Sequence, residues 1–348
     1  MTAAPGFCCY LLKSICRTSR LRNPGIVLPI LLGMLVQMNC TVAQTVDLIL
    51  TRRDSSDETV KRRGTITEWR GSELTLDSDG RERKIANAEI VEIQTTWPAE
   101  YSQALASLEL GDWESANKQL QAALALETRL WARRAIRADW VRVLSAMEQY
   151  DTAIRQFLII VREDPQTRHF YLCPLQWIAT SQIPQSESQA LVDATNPVER
   201  LVGASWLLVG SDREKAIKVL ETLASDIDPR IQCLAIAQLW RLRLLNLGSL
   251  NARQVEVWET RIAEMPPNLR AGPWYLVAEA QSRTGKTDDA AVNWLRIPIL
   301  YPEQLSLSAA ALYQTRLLLH NASRADEARA VVDELKLKYP QSVWASQR

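Results

Sequence analysis

The chain has 348 residues, and its 41 lysines and arginines nearly balance its 40 aspartates and glutamates, which leaves a formal net charge of +1. Near-neutral charge gives no electrostatic footprint for nucleic acid. The two histidines offer no spacing typical of a metal site. Composition therefore gives no support for a basic nucleic-acid-binding protein or a metal site, and we expect no cofactor.

The first 43 residues have the layout of a secretory signal peptide. Residues 1–23 hold four basic and no acidic side chains, Ile26–Met38 is an apolar run of 13, and Thr41-Val42-Ala43 offers small residues for cleavage before Gln44. The apolar run is short for a membrane span. We predict export to the periplasm or the cell exterior. The alternative is an uncleaved leader that anchors the protein in the membrane.

Residues 45–96 predict a small all-β module, because short alternating segments follow one another with turn residues between them. The predicted strands are Val46–Thr51, Thr59–Trp69, Glu73–Asp77, Arg83–Ala86 and Ile90–Gln94. This pattern is similar to small SH3-like and Sm-like barrels. A module of this size buries little core, so we expect Trp97 and Tyr101 to pack it against the first helix.

Basic residues of the module, Lys61-Arg62-Arg63 with Arg81, Arg83 and Lys84, invite interpretation as a phosphate-binding patch. Residues 46–96 nevertheless hold nine basic and eleven acidic side chains. We therefore interpret these charges as a solvated sheet face that also discourages edge-to-edge aggregation.

A repeated pattern covers most of the remaining chain. Its copies are Gly111-Asp112-Trp113-x-x-Ala116, Gln149-Tyr150-x-x-Ala153, Asp212-Arg213-x-x-Ala216, Gly285-Lys286-Thr287-x-x-Ala290 and Arg324-Ala325-x-x-Ala328. Three copies are followed, 12 residues after the last alanine, by a proline: Pro165, Pro302 and Pro340. Small residues allow two helices to cross closely, and a proline ends a helix. Each copy therefore predicts one helical hairpin.

These motifs resemble the tetratricopeptide repeat family, and the last copy, ending in Tyr339-Pro340-Gln341-Ser342, resembles repeats of bacterial cell-envelope proteins. The resemblance implies an α-solenoid of about six hairpins over residues 99–345. The hairpins near 99–128, 133–166, 270–303 and 308–341 match well. Residues 168–196 and 231–267 are degenerate, and we expect short helices at Tyr171–Thr180 and Glu187–Ala194.

The resemblance also implies which side chains line the concave groove of the solenoid. The fifth positions of the first helices hold Tyr101, Ala138, Leu201, Trp240, Tyr275 and Tyr313. An aromatic ladder of this kind suits an extended peptide or a helix. Arg142, Glu279 and Arg283 would add polar contacts. We therefore expect a protein or peptide partner in this groove, with the open alternative that the rings pack between helices.

Two cysteines follow the leader, Cys173 and Cys233, and they could form a disulfide or remain buried thiols. His169 and Cys173 stand four residues apart, but no third group that would orient such a pair is evident. We therefore expect no enzyme activity and predict a non-enzymatic scaffold or adaptor of the bacterial cell envelope. The alternatives are a membrane-anchored adaptor, an accessory subunit of an envelope enzyme that uses the β module for ligand contact, and RNA binding through an Sm-like barrel.

Overall fold

The computed structural model describes residues 46–52, 58–180, 184–245 and 250–347. Over these ranges the chain is mostly α-helical, with thirteen α-helices preceded by a five-stranded antiparallel sheet. The predicted signal peptide, residues 1–43, lies outside the described residues. Among the described residues, no helix combines the length and the apolar character that a membrane span requires.

The sheet contains the strands β1 (Asp47–Arg52), β2 (Thr59–Arg70), β3 (Glu73–Ser78), β4 (Arg81–Ala86) and β5 (Ile90–Gln94). Their order is β4-β3-β2-β1-β5, and all neighbours are antiparallel. The strands predicted from alternation are confirmed to within two residues at each end. Alternate apolar side chains form the core of the module, namely Ile49, Ile66, Leu74, Leu76 and Ile85.

The turn between β3 and β4 explains why this hairpin forms. Asp79 and Gly80 both have positive φ, 54° and 77°. Two successive residues of this kind make the tight turn whose twist matches that of paired strands. Aspartate tolerates the left-handed region better than most residues, and glycine adopts it without strain. The hairpin is therefore encoded locally.

A tryptophan of the helical part fixes the β module in place. Trp131 is buried with Ile66 and Leu74, and its Nε1 donates a hydrogen bond of 3.1 Å to the Ile66 carbonyl oxygen. The Trp97 ring lies between Tyr101 and Trp131, with centroid distances of 4.6 Å and 5.5 Å. The predicted contact of Trp97 and Tyr101 is thus present, but the deeper anchor, Trp131, was not predicted.

The helices follow in sequence. They are α1 (Ala99–Glu109), α2 (Trp113–Leu126), α3 (Leu130–Ala146), α4 (Tyr150–Glu163), α5 (Gln185–Val192), α6 (Pro197–Leu207), α7 (Arg213–Leu223), α8 (Pro229–Leu245), α9 (Ala252–Glu264), α10 (Ala271–Arg283), α11 (Thr287–Leu300), α12 (Leu305–Asn321) and α13 (Ala325–Lys338). The two helices joined by each copy of the repeated motif pack against each other, as predicted. The alanines of the five motifs are buried, namely Ala116, Ala153, Ala216, Ala290 and Ala328.

Prolines end three of these helices at the predicted place. Helices α4, α11 and α13 each stop two residues before Pro165, Pro302 or Pro340. The residue between helix and proline has left the helical region in each case, with φ between −131° and −142°. The proline ring disfavours the α conformation of the residue before it, which accounts for the shared end point.

The middle of the chain departs from the regular pattern. A helix was expected over Tyr171–Thr180, but only the single 3₁₀ turn Phe170–Leu172 forms and the chain then runs without helix to residue 180. That prediction was wrong because Pro174 holds Cys173 in a non-helical conformation, with ψ at 116°. The second expected helix, near Glu187–Ala194, corresponds to α5, and the degenerate stretch 231–267 forms α8 and α9.

The last hairpin packs against the first ones. One apolar cluster joins α1, α2 and α3 to α12 and α13. The Gln341 side-chain oxygen accepts hydrogen bonds from the backbone N–H groups of Trp113 and Glu114, at 2.6 and 3.1 Å, and so caps α2. A Cβ atom on Gly111 would lie 2.5 Å from Cδ of Pro340. The first and last helices therefore belong to one core.

Candidate functional site

Four side chains predicted to line the groove are buried between helices. Tyr101, Leu201, Trp240 and Tyr275 are each at most 6% exposed. Trp240 shows the reason, because its ring stacks on that of Trp258 from α9, with centroids 5.0 Å apart and planes at 6°. Tyr313 is half-buried beside Trp344, at 5.1 Å. Four of these side chains therefore pack between helices, which is the alternative that the sequence left open, and partner binding by the predicted residues stays a prediction.

The three polar residues predicted beside the ladder fall into two places, and Arg142 and Glu279 are half-buried while Arg283 is exposed. Glu279 and Arg283 form an ion pair one turn apart on α10, and Arg283 also donates to the carbonyl oxygen of Leu244. Arg142 of α3 pairs with Asp139 at 2.7 Å and donates from Nε to the Glu303 carbonyl oxygen at 3.1 Å. The structure thus brings Glu279 and Arg283 together, and Arg142 belongs to a different group of side chains.

That group, which we call the arginine cluster, consists of Arg134, Arg142, Arg168, Glu68 and Asp139. Arg134 and Arg142 lie two turns apart on one face of α3, because residues four apart recur on the same side of a helix. Arg134 pairs with Glu68 and donates to the Trp69 carbonyl oxygen at 2.9 Å. Three arginines face two carboxylates, and both carboxylates pair with α3.

Arg168, in the loop after α4, is the arginine of the cluster without a carboxylate partner among the described residues. Its guanidinium carbon lies 3.2 Å from the centroid of the Trp69 ring, so a cation–π contact holds it flat. Its Nε donates to His169 Nε2 at 3.1 Å, while its two Nη groups have no acceptor in the described part of the chain. Burial lowers the pKa of Arg168 to about 10, which still leaves it charged at neutral pH.

His169 is held in one tautomer by this contact. Its Nε2 accepts a hydrogen bond from Arg168, so the ring proton of the neutral form must be on Nδ1. That Nδ1 is buried and has no partner among the described residues. Burial, and then the charge of Arg168, lower the pKa of His169 to about 3. His169 is therefore a neutral donor and not a general acid or base near neutral pH.

Tyr101 belongs to the same surroundings. Its hydroxyl donates to Asp139 Oδ2 at 2.6 Å, and Asp139 Oδ1 accepts from Arg142. Burial and the Asp139 charge raise the pKa of Tyr101 far above its usual value, so the phenol stays protonated. Tyr101 and Asp139 therefore hold the Arg142 side chain in position. The arginine cluster as a whole can bind an anionic or hydrogen-bond-accepting group at Arg168.

A small cavity lies next to the cluster, between α3, α6, the start of α12 and the non-helical segment. It measures about 60 Å³ and is lined by Arg142, Tyr150, Gln176 and Ser306, among others. A water molecule occupies about 30 Å³ in the liquid, so the cavity has room for water and not for an organic ligand.

The two cysteines after the leader are free thiols and form no disulfide with each other. Burial raises the pKa of Cys173 far above its usual range and that of Cys233 to about 11. Neither thiol is ionised at neutral pH, so neither is an activated nucleophile. Among the described residues, no group of three or more potential metal ligands is present.

No protein-family model matches the chain, and no curated protein matches it. The arginine cluster is therefore defined by its geometry alone. Sequence reasoning identified Arg142 and Tyr101 but missed Arg168, Arg134 and Trp69. Their contacts join residues 65 or more apart in sequence, and no periodic pattern marks them.

Proposed function

We propose that the protein is a non-enzymatic scaffold of the bacterial cell envelope that binds a protein or peptide partner. The helices would form a tetratricopeptide-like solenoid whose last hairpin packs on the first. Five buried alanines at the motif positions and three helices ended by proline support that arrangement. The leader pattern of residues 1–43 supports export.

The N-terminal sheet would be a small SH3-like barrel. Strand β2 is 12 residues long and pairs with β1 along its first half and with β3 along its second. A register shift between Ile66 and Glu68 marks a bulge, and bulges bend strands. Its link to α3 through Trp131 and Arg134 would make it a structural support for the arginine cluster.

Arg168 carries the proposal for where the partner binds. Its guanidinium is charged and half-buried, and its Nη groups have no acceptor among the described residues. They are therefore available to an acceptor from another molecule. Carboxylates suit the planar, two-pronged geometry of arginine. The partner would therefore present a carboxylate, from an acidic side chain or a chain terminus, to the arginine cluster.

Crosslinked capture from the envelope fraction tests this function, with Arg168→Gln compared to the wild-type chain. Loss of a charge-assisted hydrogen bond costs about 1.5–3 kcal/mol, so recovery of the true partner should fall by about tenfold or more. Arg296→Gln is the matched control, since Arg296 also lies flat on a tryptophan, 4.0 Å from the Trp274 centroid. Equal recovery with both variants would rule out binding at Arg168.

Export has a separate test. N-terminal sequencing of the protein purified from cells should find a start at Gln44. An intact Met1 would instead support the membrane-anchored alternative.

A further inference from the structure

The first half of strand β2 has a neighbouring strand on one side only. Strand β1 pairs with residues 59–64 of β2, whereas β3 pairs with β2 only from Thr65 onwards. After Ser78 the β3–β4 turn reverses the chain, and β4 continues on the far side of β3. Among the described residues, the edge of β2 before Thr65 is therefore open on the side away from β1.

Two hydrogen bonds show which backbone groups lie on this open edge. The Val60 carbonyl oxygen accepts from Thr51 Oγ1 of β1 at 3.4 Å. The Arg63 carbonyl oxygen instead accepts from Ser78 Oγ of β3 at 2.6 Å. Successive residues of an antiparallel strand direct their N–H and C=O groups to opposite sides. Lys61, two residues before Arg63, therefore directs its N–H and C=O groups to the open side.

Basic side chains surround the open edge. A cleft of about 770 Å³ lies between the start of β2 and the β3–β4 hairpin. Five basic and two acidic side chains line this cleft, which we call the basic cleft, and its basic members are Lys61, Arg62, Arg63, Arg81 and Arg83. None of the five forms an ion pair within the described part of the chain, whereas their neighbour Lys84 pairs with Glu73. The near-balance of charge over the whole β module therefore conceals a local excess.

Three arginines of the basic cleft lie on the core face of the sheet. Arg62 is the register partner of Ile49, and Ile49 is buried. Arg83 is the register partner of Leu76, which is also buried. Directly paired residues share a face, and Arg81 shares the face of Arg83 because the two are two residues apart on one strand. The core face therefore changes from apolar to basic beside the open edge.

We propose that the open edge of β2 binds an extended acidic segment of a partner protein. The segment would add a short antiparallel strand, with main-chain hydrogen bonds to Thr59 and Lys61. Its residues directly opposite Lys61 would share the face of Lys61, so the alternate residues would lie on the core face. Carboxylates at these alternate positions would meet the arginines of the basic cleft, whose paired N–H groups suit them.

Charge and backbone together favour this occupant over others. A second copy of the same edge would bring the same basic side chains and be repelled, which is how charged edges avoid aggregation. A polysaccharide or a nucleic acid meets the charges but has no alternating N–H and C=O groups to pair with β2. The basic cleft is also separate from the arginine cluster, because Trp69, on which Arg168 lies, is near the other end of β2.

Binding of synthetic peptides to the full chain tests the proposal. The probe has blocked ends and about ten residues, in which glutamate alternates with threonine because threonine favours strands. Two further peptides carry N-methyl groups on every threonine or on every glutamate, so each loses alternate N–H donors at unchanged charge. If the glutamates face the arginines, the threonine N–H groups face β2. We therefore expect threonine methylation to weaken binding by about tenfold or more, and glutamate methylation by less than about threefold.

Three results of this comparison would overturn the proposal. Equal affinities of the two methylated peptides would mean that the cleft binds polyanions without strand pairing. A larger effect at the glutamates would contradict the predicted orientation of the segment. Absence of binding by the unmodified peptide at about 1 mM would rule out an acidic extended ligand.

Amide hydrogen exchange locates the bound peptide on the chain. The Lys61 N–H has no strand partner among the described residues, so we expect exchange there to slow by about tenfold or more in the complex. The Arg62 N–H faces β1 and is the internal reference, which should change by less than about threefold. Unchanged exchange at Lys61 in the complex would place the peptide elsewhere and refute strand addition.

Two charge-removal variants complete the experiment. Arg81→Gln/Arg83→Gln removes two exposed arginines of the basic cleft and should weaken the unmodified peptide by about tenfold or more. Lys218→Gln/Arg253→Gln makes the same change in net charge at exposed helical positions and should alter the affinity by less than about threefold. Circular dichroism checks that both variants fold. Equal affinities of the two variants would show that the arginines of the cleft do not select the peptide, contrary to the proposal.

Discussion

Two regions of the helical part are held in different ways. They are the hairpins at its two ends and the proline-interrupted segment 173–180 in its middle. At the ends, small alanines and apolar side chains from α1–α3, α12 and α13 share one cluster. In the middle, polar groups bond the non-helical chain. Trp206 Nε1 donates to the Pro174 carbonyl oxygen at 2.8 Å, and the Gln176 N–H donates to Ser205 Oγ at 2.9 Å.

The middle network centres on Arg241 of α8. Arg241 is buried and donates to the Ser205 carbonyl oxygen and to the side-chain oxygens of Gln176 and Gln238. None of these acceptors is charged, and burial lowers the pKa of Arg241 to about 10. Where prolines remove backbone hydrogen bonds, the displaced segment needs other partners, because unpaired buried polar groups are costly. The regular hairpins rely on apolar packing, and the interrupted segment adds specific polar bonds to the packing of Cys173, Leu175 and Ile178.

Removing the network centre should have the largest effect. Arg241→Ala strips three buried acceptors of their donor, so we expect the free energy of unfolding to fall by about 3–4 kcal/mol. Denaturant unfolding followed by circular dichroism measures it. Arg241→Met retains most of the apolar stem, and we expect it to be nearly as destabilising. Recovery of more than half the stability with methionine would mean that packing, and not the polar bonds, holds the segment.

The contact between first and last hairpins can be broken with one methyl group. In Gly111→Ala the new Cβ would meet Pro340, and φ is +69° at this position. Overpacking costs about 1–3 kcal/mol, and we expect a stability loss in that range. Gly285→Ala is the matched control, because Gly285 occupies the same turn of the α10–α11 hairpin with φ +80° and no atom within 4 Å. It carries the backbone strain without the clash.

Amide hydrogen exchange locates the effect of the glycine substitutions. In Gly111→Ala, faster exchange should appear at the start of α2, which Gln341 caps, and at the end of α13. Equal stability losses for the two glycine variants would show that backbone strain, and not the meeting of the two ends, requires glycine at position 111.

The difference between the two regions also explains how much the sequence could predict. The alanine and proline spacing predicted the hairpins, because each signal acts within one helix pair. The alternation of β1–β5 was equally local. Arg241 and Gln176 stand 65 residues apart, and neither residue type marks a buried position. Trp240 was assigned to the groove because it holds the fifth position of a first helix. Its partner Trp258 lies on the following helix, and only three-dimensional packing reveals their stacking.

The smallest expected effect concerns His169, which links the middle segment to the arginine cluster. Its pKa is lowered from 6.5 to about 3 in the folded chain, so between these values the unfolded chain binds a proton that the folded chain does not. Stability from neutral His169 is therefore complete above about pH 6.5 and is lost progressively as the pH falls towards 3. His169→Gln should reduce the slope of unfolding free energy against pH, between pH about 6 and about 4, by at most about 1.4 kcal/mol per unit.

His320→Gln is the control, because His320 is exposed near the end of α12. We expect that variant to keep the wild-type slope. If His169→Gln also kept it, His169 would titrate normally, and a water or an ion would have to pair with its Nδ1 in solution. A reduced slope would show that His169 stays neutral in the folded chain at pH values where the unfolded chain protonates it.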